Sequence, residues 1–159
     1  MSFMNQSIIG LLLVGAACSA PAVEQSRELT AADETAIRTL IDAFTRNIVE
    51  RGFVSNVELL TDDYIEMRAD AIEGIEDARE RWGNVSNTYT AATGQIRRLE
   101  GAGNLAYAWV EFTQKWVSDA GVPRVQTGNT LWILRRGQDG QWRFAGSGWQ
   151  SVTANDTAG

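Results

Sequence analysis

The chain has 159 residues, with 14 Lys and Arg against 20 Asp and Glu, and a net charge of −6 at neutral pH. An acidic surface repels phosphate backbones, so nucleic-acid binding is disfavoured. There is no histidine, and Cys18 is the single cysteine, which removes imidazole bases, His-activated nucleophiles, His- or Cys-bound metals and disulfides from the folded domain.

In chain order, Ile8 to Ala17 is an uncharged apolar run followed by small residues. It is too short to span a bilayer as a mature helix and has the pattern of a secretory signal, so residues 1–22 are read as a signal peptide. Gly15-Ala16-Ala17-Cys18 resembles a bacterial lipoprotein box, in which Cys18 would carry the lipid. Cleavage after Ala20 or Ala22 would instead release a soluble form. The expected location is the periplasm or cell envelope, at the outer membrane for a lipidated form, with membrane contact only through that anchor. Residues 23–29 read as a linker.

A folded domain is expected over residues 30–152, with a disordered tail over 153–159. Thr30 is a helix N-cap, with Asp33 and Glu34 in the first turn. Ile37, Leu40, Ile41, Phe44, Ile48 and Val49 then recur at helical spacing, and Gly52 ends the helix. Phe53 to Leu60 suits a short second helix. Thr61-Asp62-Asp63 punctuates, and Tyr64 to Arg68 alternates as a strand. Gly74 to Trp82 reads as a third helix. Strands follow near Tyr89–Glu100, Leu105–Val117, Val125–Arg136 and Gln141–Ser151, joined by Gly-containing turns that require antiparallel neighbours. Helices followed by strands indicate an α+β fold.

This order, with Leu59-Leu60-Thr61-Asp62-Asp63-Tyr64, the Gly74-x-x-x-Ala78 before Trp82 and the closing Asp139-Gly140-Gln141-Trp142-Arg143, resembles the nuclear transport factor 2-like superfamily. Within it, the chain is similar to the SnoaL-like and ketosteroid-isomerase-like group of small proteins. The resemblance covers Thr30 to about Ser151. It implies a cone: N-terminal helices packed on a curved antiparallel sheet around an apolar pocket, with an outer sheet face that makes homodimers. It also implies where a steroid isomerase of this fold would keep its catalytic groups. The first-helix tyrosine position falls on Phe44, the base position on Arg68, and the late-strand aspartate position on Trp132. None can perform the corresponding step, because aromatic carbon donates no hydrogen bond and a guanidinium abstracts no carbon-bound proton at neutral pH. Histidine-dependent dehydratases of the fold are excluded by composition.

Three groups of residues remain as candidates. Tyr64, Glu66 and Arg68 share a strand face, which the resemblance turns toward the cone; they read as an acid–base or anion-orienting set or as an exposed polar face. Tyr107, Trp109 and Glu111 share a face of a later strand, as a core or a pocket wall, with Glu111 as a second acid–base candidate if buried. Trp82, Trp132 and Trp149, with Phe44, are expected to line the pocket and suit a flat hydrophobic ligand such as a polyketide, terpenoid or sterol-like molecule. No cofactor and no metal are expected. The leading reading is an exported protein that binds a small hydrophobic ligand. The alternatives are a cofactor-independent isomerase, cyclase or hydrolase using Glu66 or Glu111, and a non-catalytic dimeric interaction module.

Overall fold

The computed structural model describes residues 28–156, with side chains through residue 152. The expected signal peptide with Cys18, most of the expected linker and residues 157–159 lie outside the described residues.

Helix α1 spans Ala31–Glu50. Thr30 caps it: the hydroxyl accepts from the Asp33 amide, and the Asp33 carboxylate accepts from the Thr30 amide, satisfying two of the donors that a helix N-terminus leaves open. Ile37, Ile41, Phe44 and Ile48 form the buried stripe. Val49, expected on the same stripe, faces solvent, because 100° of helical rotation separates it from Ile48. Gly52, at φ 83°, makes the turn into a 3₁₀ segment over Phe53–Leu59, since only glycine adopts that backbone without strain.

Strand β1 (Leu60–Met67) follows, then β2 (Ile72–Gly74), helix α2 (Ile75–Gly83), and four long strands: β3 (Thr88–Ala102), β4 (Leu105–Val117), β5 (Pro123–Arg136) and β6 (Trp142–Asp156). Thr61-Asp62-Asp63 therefore lies within β1 rather than before it. The fold is α+β: the helices pack on a six-stranded, unclosed sheet of order β2-β1-β6-β5-β4-β3. The long strands form an antiparallel meander, as their short turns require, whereas β1 pairs parallel to β6. Register shifts in β3, β5 and β6 are the irregularities that bend a sheet and concentrate its twist. The core lies on the concave side, where α1 and α2 meet the inward residues Tyr64, Ala106, Ala108, Val110, Trp132, Leu134 and Phe144.

One end of this cone is stapled shut. Trp142 Nε1 donates to Asp33 Oδ1 at 3.1 Å and Arg136 pairs with the same oxygen at 2.7 Å. The end of α1 is thereby tied to the β5–β6 turn. Glu28 bridges Ala102 at the same end, and Leu29 packs against the core, so the folded domain takes in residues 28 and 29 as well. It also ends later than expected: β6 continues past Val152 to Asp156, which pairs with Arg124.

Candidate functional site

Toward the opposite end of the sheet the layers part and leave a cavity of about 210 Å³. Ile41, Phe44 and Ile48 from α1, Trp82 from α2, and Val110 and Trp132 from the sheet make its apolar wall. The rings are locked by mutual packing: Phe44 stands edge-on to Phe53, Trp82, Trp132 and Phe144 at centroid separations of 5.0–6.1 Å. Such contacts add roughly 0.5–1.5 kcal/mol each beyond area burial. Val85, Gln114, Gln126 and Trp149, which are only partly buried or exposed, form the rim.

The polar side of the cavity arises from strand alternation. Tyr64 and Glu66 both point inward from β1, and on the adjacent β6 Ser147 and Trp149 do the same, Ser147 lying opposite Glu66 in register. Glu66 is only 2% exposed. One of its oxygens accepts from Trp149 Nε1 at 2.8 Å and the other from Arg81 Nη2 at 2.6 Å. Arg81 arrives from α2 and also pairs with Glu73 at 2.9 Å. Desolvation works against its charge, but the two carboxylates outweigh it and hold the guanidinium pKa above its ordinary value. The Tyr64 hydroxyl lies 2.8 Å from Ser147 Oγ. Burial, with the Glu66 charge beside it, pushes the Tyr64 phenol upward. Tyr64 is therefore held neutral and cannot serve as the base that would activate Ser147. The arrangement offers two neutral hydroxyls and one carboxylate with unused lone pairs to a molecule in the cavity.

Phe44, Tyr64, Glu66, Trp82, Trp132 and Trp149 thus come together around one cavity. Four expected participants do not. Arg68 lies just beyond the end of β1, where it pairs with Glu73 at 3.4 Å and approaches Asp70 at 3.8 Å. Tyr107, Trp109 and Glu111 occupy the outer face of β4: Trp109 is half exposed, Tyr107 bonds Glu100, and Glu111 forms a solvated ion pair with Arg97. Ala106, Ala108 and Val110, on the opposite side of β4, are the buried residues of that strand. Glu111 is not an acid–base group of this cavity. Arg81 and Ser147 are the site residues that sequence reasoning missed. Among the described residues no group of three or more His, Cys, Asp or Glu is placed to hold a metal.

No protein-family model matches the sequence, and no curated protein sequence matches it. Solved structures do match. A conserved protein from Planctomyces limnophilus superposes with a TM-score of 0.70 at 20% identity, covering 77% of this chain and 100% of that one. A nuclear transport factor 2-like protein of unknown function from Prochlorococcus gives 0.64 at 16% identity, covering 80% and 97%. The chain has the nuclear transport factor 2-like fold. A hexachlorocyclohexane dehydrochlorinase from Novosphingobium barchaimii also shares it, with a TM-score of 0.67 at 17% identity over 80% of this chain and 92% of the enzyme. Proteins with this fold therefore include both enzymes and proteins of unknown function, and function has to be argued from the site.

Proposed function

We propose that this domain binds a compact, largely apolar small molecule in the cavity between α1, α2 and the sheet. The observation that carries the reading is the cavity itself: about 210 Å³ left open beside an interlocked aromatic cluster, with Tyr64, Glu66 and Ser147 converging on one side. Native interiors leave few voids larger than a water molecule, so a space of this size with convergent polar groups is unusual as mere packing. Its volume lies between a benzene-holding cavity of about 150 Å³ and drug-sized sites that begin near 300 Å³. That suits a molecule of one or two rings, or a branched chain of similar bulk.

A second reading, catalysis by Glu66, keeps one supporting observation. The carboxylate faces the cavity with lone pairs free, within reach of a proton on a bound molecule. Against it, both oxygens are already committed to charge-assisted or N–H hydrogen bonds, which hold the carboxylate in place.

We also propose that the protein acts outside the cytoplasm, through the signal-like run and Cys18.

Native mass spectra of the protein purified from its own cells test the binding reading. A co-purifying mass of small-molecule size, lost on denaturation, is the expected result. A ligand-free spectrum, together with no change in Trp fluorescence when compact aromatic compounds are added, would refute it. The same spectra report whether the mature N-terminus is a lipid-modified Cys18.

A further inference from the structure

The charges around the polar side of the cavity do not balance. Glu66, Arg81, Glu73, Arg68 and Asp70 form one continuous chain of ion pairs, at 2.6, 2.9, 3.4 and 3.8 Å in turn. Three carboxylates face two guanidiniums, so one negative charge is left over. Arg81 is divided between Glu66 and Glu73, and Arg68 between Glu73 and Asp70. Asp70 lies in solvent and Glu73 is partly wetted, whereas the Glu66 carboxylate is 3% exposed and faces the cavity. The loosest link belongs to Asp70, which water screens, so the surplus itself is held in solvent. What marks Glu66 is that its one guanidinium is shared with Glu73, and a buried carboxylate with a shared partner gains from a further cation.

The surroundings of Glu66 favour the same conclusion. A carboxylate presents about four lone-pair positions; Arg81 and Trp149 occupy two of them, and the Tyr64 hydroxyl approaches a third at 3.5 Å. The Tyr64 and Ser147 hydroxyls beside it also carry acceptor lone pairs. The rest of the cavity is walled by aromatic rings, among them Phe44, Trp82, Trp132 and Trp149. They offer an apolar wall to the body of a ligand.

We infer that the ligand is a compact organic cation: an ammonium or methylated ammonium head seated between Glu66, Tyr64 and Ser147, with an apolar body against Phe44, Trp82 and Trp132. The inference rests on the reading of the cavity as a ligand site and adds the charge of the ligand to it. An anion would meet Glu66 while the nearest guanidinium is already shared by two carboxylates. A neutral alcohol or ketone could bond the hydroxyls but would leave Glu66 with only the shared guanidinium.

Isothermal titration of the unmodified full-length protein with three probes tests this: 2-phenylethylammonium, 2-phenylethanol of nearly the same shape, and ethylammonium, which has the charge without the ring. The cation with the ring should bind at least about tenfold more tightly than either of the others, since a desolvated charge pair or a buried ring is each worth a decade or more in affinity. Equal or tighter binding of the alcohol would overturn the charge assignment and leave the cavity reading standing. Equal binding of the two cations would place the effect on the acidic surface and overturn the inference. Binding of none of the three would sink this inference, and with a ligand-free native spectrum it would sink the cavity reading too. In Glu66→Gln the preference for the amine over the alcohol should fall to within about twofold, and its persistence would also count against the assignment; the comparison of ligands on the unmodified protein stands even if that variant does not fold.

Discussion

Truncation of Phe44 to alanine gives the most direct measure of the aromatic cluster. The ring is 7% exposed and meets Phe53, Trp82, Trp132 and Phe144 edge-on. Loss of its apolar surface removes about 2 kcal/mol of transfer free energy. The vacated ring adds about 100 Å³ to a cavity that already exists, and at ~24 cal/mol per Å³ this costs about 2.4 kcal/mol more. The sum, about 4 kcal/mol, lies within the usual range for Phe→Ala in a core and below the total stability of about 5–15 kcal/mol typical of such domains. The variant should therefore fold. Urea unfolding followed by Trp fluorescence should show a lower midpoint at unchanged slope, because the surface exposed on unfolding is nearly the same. Saturating toluene should restore part of the loss by occupying the enlarged space. A loss below about 1.5 kcal/mol at unchanged slope, with no response to toluene, would mean that the helices close over the site and that the cavity is not held open by this cluster.

Arg81→Met should destabilise the protein by about 2–3 kcal/mol in urea melts, because it strands Glu66 in the interior; the usual 3–5 kcal/mol is reduced by Arg81's partial exposure. Arg79→Met, which breaks a solvated pair with Glu76 on the same helix, should stay within about 0.5 kcal/mol, and equal losses in the two variants would contradict the buried role of Arg81. Gly128→Ala should cost about 1–3 kcal/mol in thermal or urea unfolding: its Cβ would overlap the Gln150 carbonyl oxygen and lie 2.6 Å from the Phe112 ring. A neutral outcome would show that β5 and β6 shift freely there. Asp33 is held below its ordinary pKa of 3.8, first by the Thr30 hydroxyl and further by Trp142 and Arg136, against the opposing effect of burial. A depressed folded pKa contributes stability above the unfolded value, and that contribution is lost as the pH falls through the folded one. Asp33→Asn should thus be less stable than the parent at pH 6, with the gap narrowing below about pH 4; a gap that is constant with pH would refute the linkage.

The strands of the meander were legible because two local signals agree, alternation along each strand and glycine-bearing turns between them. What alternation cannot supply is the sign of the face. On β4 it separates Tyr107, Trp109 and Glu111 from Ala106, Ala108 and Val110, and side-chain size suggests the wrong set as interior. The decision is made by which face of the sheet the helices cover, and no local pattern reports that. For Tyr64 and Glu66 the facing of β1 came from the resemblance, not from their own alternation. Arg81 escaped because its partner Glu66 is fifteen residues away and the two meet only after α2 folds back. Ser147 escaped because its pairing requires β6 to lie parallel to β1, a contact across 83 residues. The alternation Ser147-x-Trp149, which mirrors Tyr64-x-Glu66, was the available signal for that second half of the site.

The described chain enters and leaves at opposite poles. Glu28 is bridged to Ala102 at the stapled end, and Asp156 pairs with Arg124, whose other neighbour is Trp116 near the far end of β4. The two poles are separated by the length of β4, roughly 40 Å at ~3.3 Å per residue. A surface or protein attached ahead of Glu28 would therefore hold the cone by its tip, with the cavity rim directed away and free to exchange small molecules with the surrounding water. A bulky group joined after Asp156 would stand at the rim instead and compete with entry. Immobilisation through the two ends should accordingly give different association rates for the same probe, with the slower one at the C-terminal attachment.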